Sequence, residues 1–183
     1  MDAILKFDFF ILDFIQGYMR CGFLDAVMVF FTKLGDNGLI WIVLTLICLI
    51  TDKYRKLGSA MAVALVLSLL LGNEALKELA ARPRPFQLKE TALLIAAPPG
   101  YSFPSGHTMS SFAAAAAIGL MNKKHAAWAY VLASLIAFSR MYLYVHFFTD
   151  VLAGALLGMY SAGQAQRLYQ ESSGFKNREN INT

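Results

Sequence analysis

Hydrophobic residues run through this chain in long blocks, and the breaks between them are short and charged. Five blocks, at about 35–51, 57–76, 105–121, 126–145 and 147–166, reach or approach the roughly 17–25 residues a helix needs to cross a bilayer. The breaks are DKYRK at 52–56, a polar stretch at 82–104, NKKH at 122–125 and a tight join near His146. No period of 20–50 residues repeats, so solenoids and propellers are excluded.

Residues 1–34 follow another pattern. On a helical wheel Asp2, Lys6, Asp13, Gln16 and Arg20 share a face, with Phe7, Phe10, Ile11, Phe14 and Ile15 mostly elsewhere, which suits an amphipathic helix lying in the membrane interface. A second, shorter apolar stretch at 23–34 runs to Gly35, a helix stop. A complete sixth span is an open alternative. A cleavable signal peptide fits less well, because Asp8 and Asp13 interrupt the apolar run and no basic start precedes it. The predicted fold class is all-α: a polytopic membrane helix bundle of five to six transmembrane helices with an N-terminal amphipathic helix. It forms a single membrane-embedded domain over 1–168 with its core at about 57–166, followed by a polar, partly disordered cytoplasmic tail at 169–183.

Composition strengthens the membrane reading. Apolar residues make up 57% and charged residues 15% of 183, against roughly 45–50% and 25% in soluble domains. The net charge of +4 is too small and scattered to suggest nucleic acid. Cys21 and Cys48 lack metal or redox spacing and read as packing residues. Lys53, Arg55, Lys56, Lys123 and Lys124, with Arg167, Lys176 and Arg178 of the tail, fall on one side of the predicted bundle, the cytoplasmic side by the positive-inside rule.

Three polar clusters then face outward: KELAARPRP (77–85), PSGH (104–107) and SRMYLYVHFFTD (139–150). Charge beside hydrocarbon costs roughly 2.5–3.5 kcal/mol per residue at a span centre, so such clusters call for a function. In PSGH, Pro104 suits a helix start, Gly106 allows close approach to backbone N–H groups, and Ser105 and His107 add a hydroxyl and a titratable ring. An anion site and a plain capped helix start both fit that tetrapeptide. Pro83 and Pro85 end the preceding helix near Ala81 and present Arg84 on an extended segment, where it joins Lys77 as a phosphate ligand or serves as an ordinary basic flank. Arg82 reads as such a flank, paired with Glu78 one turn earlier. His146 and Asp150 lie four apart on the helix starting there, so the carboxylate can orient the imidazole as nucleophile or base, with Arg140 nearby. A structural pair or a proton relay would use the same spacing.

Lys77, Arg84 and Pro85, then Pro104 to His107, then Ser139, Arg140, His146 and Asp150 occur in the order and spacing of a known set. Over residues 57–166 the chain resembles the type 2 phosphatidic acid phosphatase family of integral membrane lipid phosphatases. The resemblance implies that His146 attacks phosphorus to give a phosphohistidine, that Asp150 holds its tautomer and that His107 protonates the leaving oxygen. Lys77, Arg84, Arg140, Ser105 and the Gly106 N–H would bind the phosphate oxygens. No cofactor and no metal are expected, because cations supply the neutralisation and no carboxylate cluster is present to hold one. The expected partners are the bilayer and a membrane lipid, most simply undecaprenyl diphosphate, with phosphatidylglycerophosphate or phosphatidic acid as alternatives. The expected location is the plasma membrane with the site outside. Similar motifs in vanadate-dependent haloperoxidases imply that vanadate inhibits. A transporter or proton relay is the non-enzymatic alternative, and it leaves PSGH, Lys77 and Arg84 unexplained.

Overall fold

The computed structural model describes residues 3–179, apart from the side chains of 73–75 and 172–179. Among the described residues there is no strand. The helices are α1 (Ala3–Phe14), α2 (Gly22–Gly35), α3 (Leu39–Ile50), α4 (Arg55–Leu69), α5 (Lys77–Ala80), α6 (Pro85–Leu88), α7 (Gly106–Met121), α8 (Lys123–Tyr142) and α9 (Phe148–Glu179), with π-helical turns at Ile15–Met19 and Leu70–Leu76. Two helical stretches are long and apolar enough to cross a membrane, Gly22–Ile50 and Asp52–Leu88.

Helix α7 sits at the centre, against α9, α8 and α4. Its Ala113–Ala117 run is buried throughout, which lets neighbouring backbones come close. Gly154 and Gly158 of α9 pack on the first turns of α7: an added Cβ would lie 2.8 Å from the Ser105 carbonyl oxygen at the first and 2.3 Å from that of Met109 at the second. The α7–α9 contact is thus backbone on backbone, and it brings the start of α7 to the start of α9. Trp41 of α3 closes the opposite side, its Nε1 donating to Ser111 at 2.8 Å.

Several expectations change in detail. The block at 126–145 ends as a helix at Tyr142, because Leu143–Phe147 folds into the join, with Tyr144 at φ 61°. Helix α9 continues to Glu179, past the expected end at 166. The side chains of most of the predicted tail lie outside the described residues. Helices α2 and α3 meet at an elbow, Asp36–Gly38, where Asn37 and Gly38 both have positive φ.

Helix α1 forms where an amphipathic helix was expected, and it packs on the bundle through Asp8 and Leu12. Asp8 and Leu12 are completely buried, while Phe7, Phe10 and Phe14 are at least half exposed. The polar face is used in contacts: Gln16 Nε2 donates to the Tyr142 carbonyl at 2.7 Å, and Asp13 pairs with Lys89 at 2.8 Å. Asp2 lies outside the described residues.

Candidate active site

The join between α8 and α9 places His146. Both its N–H and that of Val145 donate to the Arg140 carbonyl, at 3.3 and 3.1 Å, which folds the chain back on the end of α8. Asp150 then fixes the first turn of α9, its Oδ2 accepting from Phe147 N–H at 2.8 Å and from the Ser102 hydroxyl. His146 Nδ1 lies 3.6 Å from the same oxygen, a charge contact longer than a hydrogen bond. His146 Nε2 lies 3.1 Å from Arg84 Nη1.

That last contact determines the tautomer. A guanidinium only donates, so Nε2 accepts and the ring proton sits on Nδ1, facing Asp150. Burial pushes the His146 imidazole down to about 3, against the opposing pull of Asp150, so the ring is neutral near pH 7. A neutral imidazole with its lone pair on Nε2 is a nucleophile.

Arg84 is buried, on the extended backbone the two prolines predicted. It donates to the carbonyls of Gly100, Val145 and Pro99, each at 3.0 Å, as well as facing His146. Four of its five N–H groups are engaged, and one remains for a ligand. Arg140 is also buried; one nitrogen donates to Thr32 while its Nε has no partner. Lys77, at the start of α5, is half-buried and close enough to Arg84 and Arg140 to feel both charges.

Ser105 precedes the first residue of α7, Gly106; its N–H donates to the Asp150 carbonyl at 3.1 Å and its hydroxyl accepts from Thr108 at 2.9 Å. The start of α7, with the free N–H groups of a helix's first turn, therefore lies beside the start of α9. His107 follows, with Nε2 2.9 Å from Asp36 Oδ1. His107 and Arg140 line a cleft of about 460 Å³ with Thr32, Lys33 and Asp36, and its opposite wall is Leu94, Ile95, Ala96 and Pro98. Thus His146, Asp150 and Arg84 meet directly, Ser105 and Gly106 adjoin them, His107 and Arg140 line the cleft, and Lys77 lies near enough to both arginines to feel their charge.

One sequence expectation fails here. Arg82 does not pair with Glu78: Ala81 takes φ 44° and turns the chain out of the helix. Arg82 instead bonds Asp8 at 2.6 Å and Asp150 at 2.5 Å, with its guanidinium 4.1 Å over the Phe147 ring. Ser102, Thr149, Asp36 and Asp8 also touch the site without having been singled out for it. Of these only Asp8 carried a signal, as a carboxylate inside a phenylalanine-rich helix.

Cations converge here on a carboxylate-backed histidine at one end of a helix bundle, an arrangement suited to a phosphate group. The model of the PAP2 superfamily matches residues 53–173, and the chain belongs to that superfamily; it is a lipid phosphatase, hence a hydrolase. An undecaprenyl-diphosphatase of Sulfolobus acidocaldarius is 36% identical over 146 residues, which span 77% of this chain and 68% of the relative. The crystal structure of Aquifex aeolicus LpxE superposes with a TM-score of 0.77 at 30% identity, over 88% of this chain and 95% of that one. A transmembrane PAP2-type phosphatidylglycerolphosphate phosphatase from Bacillus subtilis superposes at 0.75 and 30% identity, over 93% of this chain and 88% of the other. A purely transporting or proton-relaying role is set aside by this membership.

Proposed function

We propose that the protein hydrolyses a lipid diphosphate or phosphate without a metal, at the outer face of the plasma membrane, with undecaprenyl diphosphate as the leading substrate. The observation that carries the chemistry is the placement of the His146 ring, with Nε2 3.1 Å from the donor-only Arg84 guanidinium and Nδ1 3.6 Å from Asp150, which assigns the lone pair to Nε2. Arg84 now occupies that lone pair. A bound phosphate oxygen would accept the same N–H and uncover Nε2 for attack on phosphorus. As the N–P bond forms, the bond to the leaving oxygen breaks and His107 gives that oxygen a proton. Water then attacks the phosphohistidine, His107 takes a proton from it, and phosphate leaves. Lys77, Arg84, Arg140, Ser105 and the Gly106 N–H hold the equatorial oxygens, each worth roughly 10²–10³ in rate where such donors have been removed elsewhere.

The cleft fits a lipid, with a polar end at His107 and Arg140 and an apolar wall at Leu94–Pro98. Orientation follows from connectivity. Helix α4 runs from Arg55 toward Lys77, α7 from Gly106 to Met121, and α8 from Lys123 back to the join. The basic turns at 52–56 and 122–125 thus sit at the helix ends opposite the site, which supports five to six crossings with the site outward. The similarity to a phosphatidylglycerolphosphate phosphatase favours that lipid as the second reading.

The test is phosphate release by purified protein in detergent with EDTA, from undecaprenyl diphosphate, phosphatidylglycerophosphate and phosphatidic acid. The reading expects full activity without metal, the diphosphate as best substrate, and inhibition by vanadate. Silence in EDTA that Mg²⁺ reverses would overturn the metal-free account, and preference for another lipid would replace the substrate.

A further inference from the structure

Helix α1 precedes the 53–173 segment that matches the superfamily, yet its Asp8 is tied into the site. The Asp8 carboxylate is completely buried. Its Oδ2 accepts from Arg82 Nη2 and from the Thr149 hydroxyl, both at 2.6 Å, and its Oδ1 accepts from Thr149 N–H at 3.0 Å. Arg82 Nη1 reaches the other way, to Asp150 Oδ1 at 2.5 Å and Thr149 Oγ1 at 2.7 Å. One guanidinium therefore bridges two buried carboxylates, and the second of them backs His146.

We infer that Asp8 is a positioning residue for the reaction, acting through Arg82 on Asp150 and so on His146; this rests on the reading of His146 as nucleophile. Two effects follow from the geometry. Asp8 holds Arg82 at the angle that clamps one oxygen of Asp150, leaving the other for Ser102, Phe147 N–H and the Nδ1 side of His146. Asp8 also shares the charge of Arg82. With two carboxylates on one guanidinium, Asp150 keeps negative charge to stabilise the cationic ring formed when His146 Nε2 bonds to phosphorus. With Asp8 neutral, Arg82 would pair with Asp150 alone and spend that charge. The N-terminal helix is on this account part of the working site.

The experiment compares Asp8→Asn, Arg82→Gln, the double variant, Asp8→Glu and Leu12→Ala in the full chain, reading kcat, KM, thermal midpoint and acid-labile phosphoenzyme. Leu12 shares the buried face of α1, packing with Tyr144 and Phe147, and makes none of the hydrogen bonds that link Asp8, Arg82 and Asp150, so it reports what loosening the helix does by itself. Asp8→Asn should lower kcat by about tenfold to a hundredfold, the scale for partners that orient a reacting group, with KM within about twofold. The double variant should lose no more than Arg82→Gln alone, and Leu12→Ala should lower the midpoint while keeping kcat at temperatures where it is folded. Wild-type kcat in folded Asp8→Asn, losses that multiply in the double variant, or an equal kcat loss in Leu12→Ala would each overturn the inference. If Asp8→Asn does not accumulate, Asp8→Glu decides: it keeps the charge but shifts the carboxylate, and wild-type kcat in it would count against positioning. Turnover in the wild type with no phosphoenzyme would refute the nucleophile reading separately, whatever the Asp8 variants do.

Discussion

His107 Nε2 lies 2.9 Å from a carboxylate oxygen of Asp36, a residue 71 positions earlier, at the elbow between α2 and α3. The α2–α3 pair thereby meets His107 directly, whereas α1 reaches the start of α9 through Asp8 and Thr149. A carboxylate at that distance orients the ring and, in the proposed mechanism, would stabilise the charge it carries after taking a proton from water. Asp36 is more exposed than His107, with 57% against 20% of the side chain accessible, so the pair is open to solvent on the Asp36 side. Asp36→Asn should lower kcat/KM for phosphatidic acid by about tenfold, within the range general acid–base help supplies. For a diphosphate, whose leaving group is already acidic, the loss should be smaller. Measuring both substrates checks this, and equal losses would show that Asp36 acts other than through proton transfer.

The residue before Asp36 makes a second prediction possible. Gly35 has an ordinary helical φ of −84°, so the reason for glycine is space. An added Cβ would lie 2.7 Å from Ile136 Cγ2 and 2.9 Å from His107 Cδ2. Gly35→Ala must push the His107 ring and the Ile136 side chain, at a cost of about 1–3 kcal/mol for overpacking. Activity should fall by about tenfold as the ring moves. Gly17→Ala is the control, because its Cβ would meet nothing within 4 Å. Similar kcat in the two variants would mean that the site tolerates a displaced His107.

Much of the site was legible because its residues come in local groups. His146 and Asp150 are one helical turn apart, Arg84 lies between helix-breaking prolines, and PSGH starts a helix, so short-range rules singled out each as a candidate. Its completion was not legible, because Asp8, Asp36 and Arg82 reach it only through tertiary contact. Arg82 was misread for a specific reason. A pair at i, i+4 needs the helix to continue, and Ala81 at φ 44° breaks it one residue before the arginine. Helix α1 was legible as an amphipathic helix with its phenylalanines on an outer face, but nothing local showed that Asp8 would be buried and fully hydrogen-bonded.

His146→Ala should abolish turnover, a loss of at least about a thousandfold, as expected when a covalent nucleophile is removed. The side chain is buried and faces Arg84, so the variant should also lose some stability, unlike a surface change. His107→Ala should be nearly as damaging for a phosphomonoester and less so for a diphosphate. Substantial residual hydrolysis in folded His146→Ala, with phosphoenzyme still trapped, would assign the nucleophile elsewhere.

The outward orientation is open to a direct check. Lys53, Arg55 and Lys56 precede or open α4, and Lys123 and Lys124 open α8, at helix ends opposite His146, so positive charge marks one face and the site the other. A reporter on the site face should leave the chemistry intact. Gln87 is unsuitable because its side chain caps the Arg84 N–H at 2.7 Å, whereas Glu90 is exposed in the same loop. With Cys21 and Cys48 changed to Ser, Glu90→Cys should react with a membrane-impermeant thiol reagent in sealed cells. Asn122→Cys, at the break between α7 and α8, should react only once the membrane is opened. A phosphatase facing outward would act on a carrier lipid spent in envelope synthesis, out of reach of phosphorylated metabolites inside the cell. Labelling at Asn122→Cys but not at Glu90→Cys in sealed cells would invert the protein, and the carrier-recycling reading would fall with the orientation.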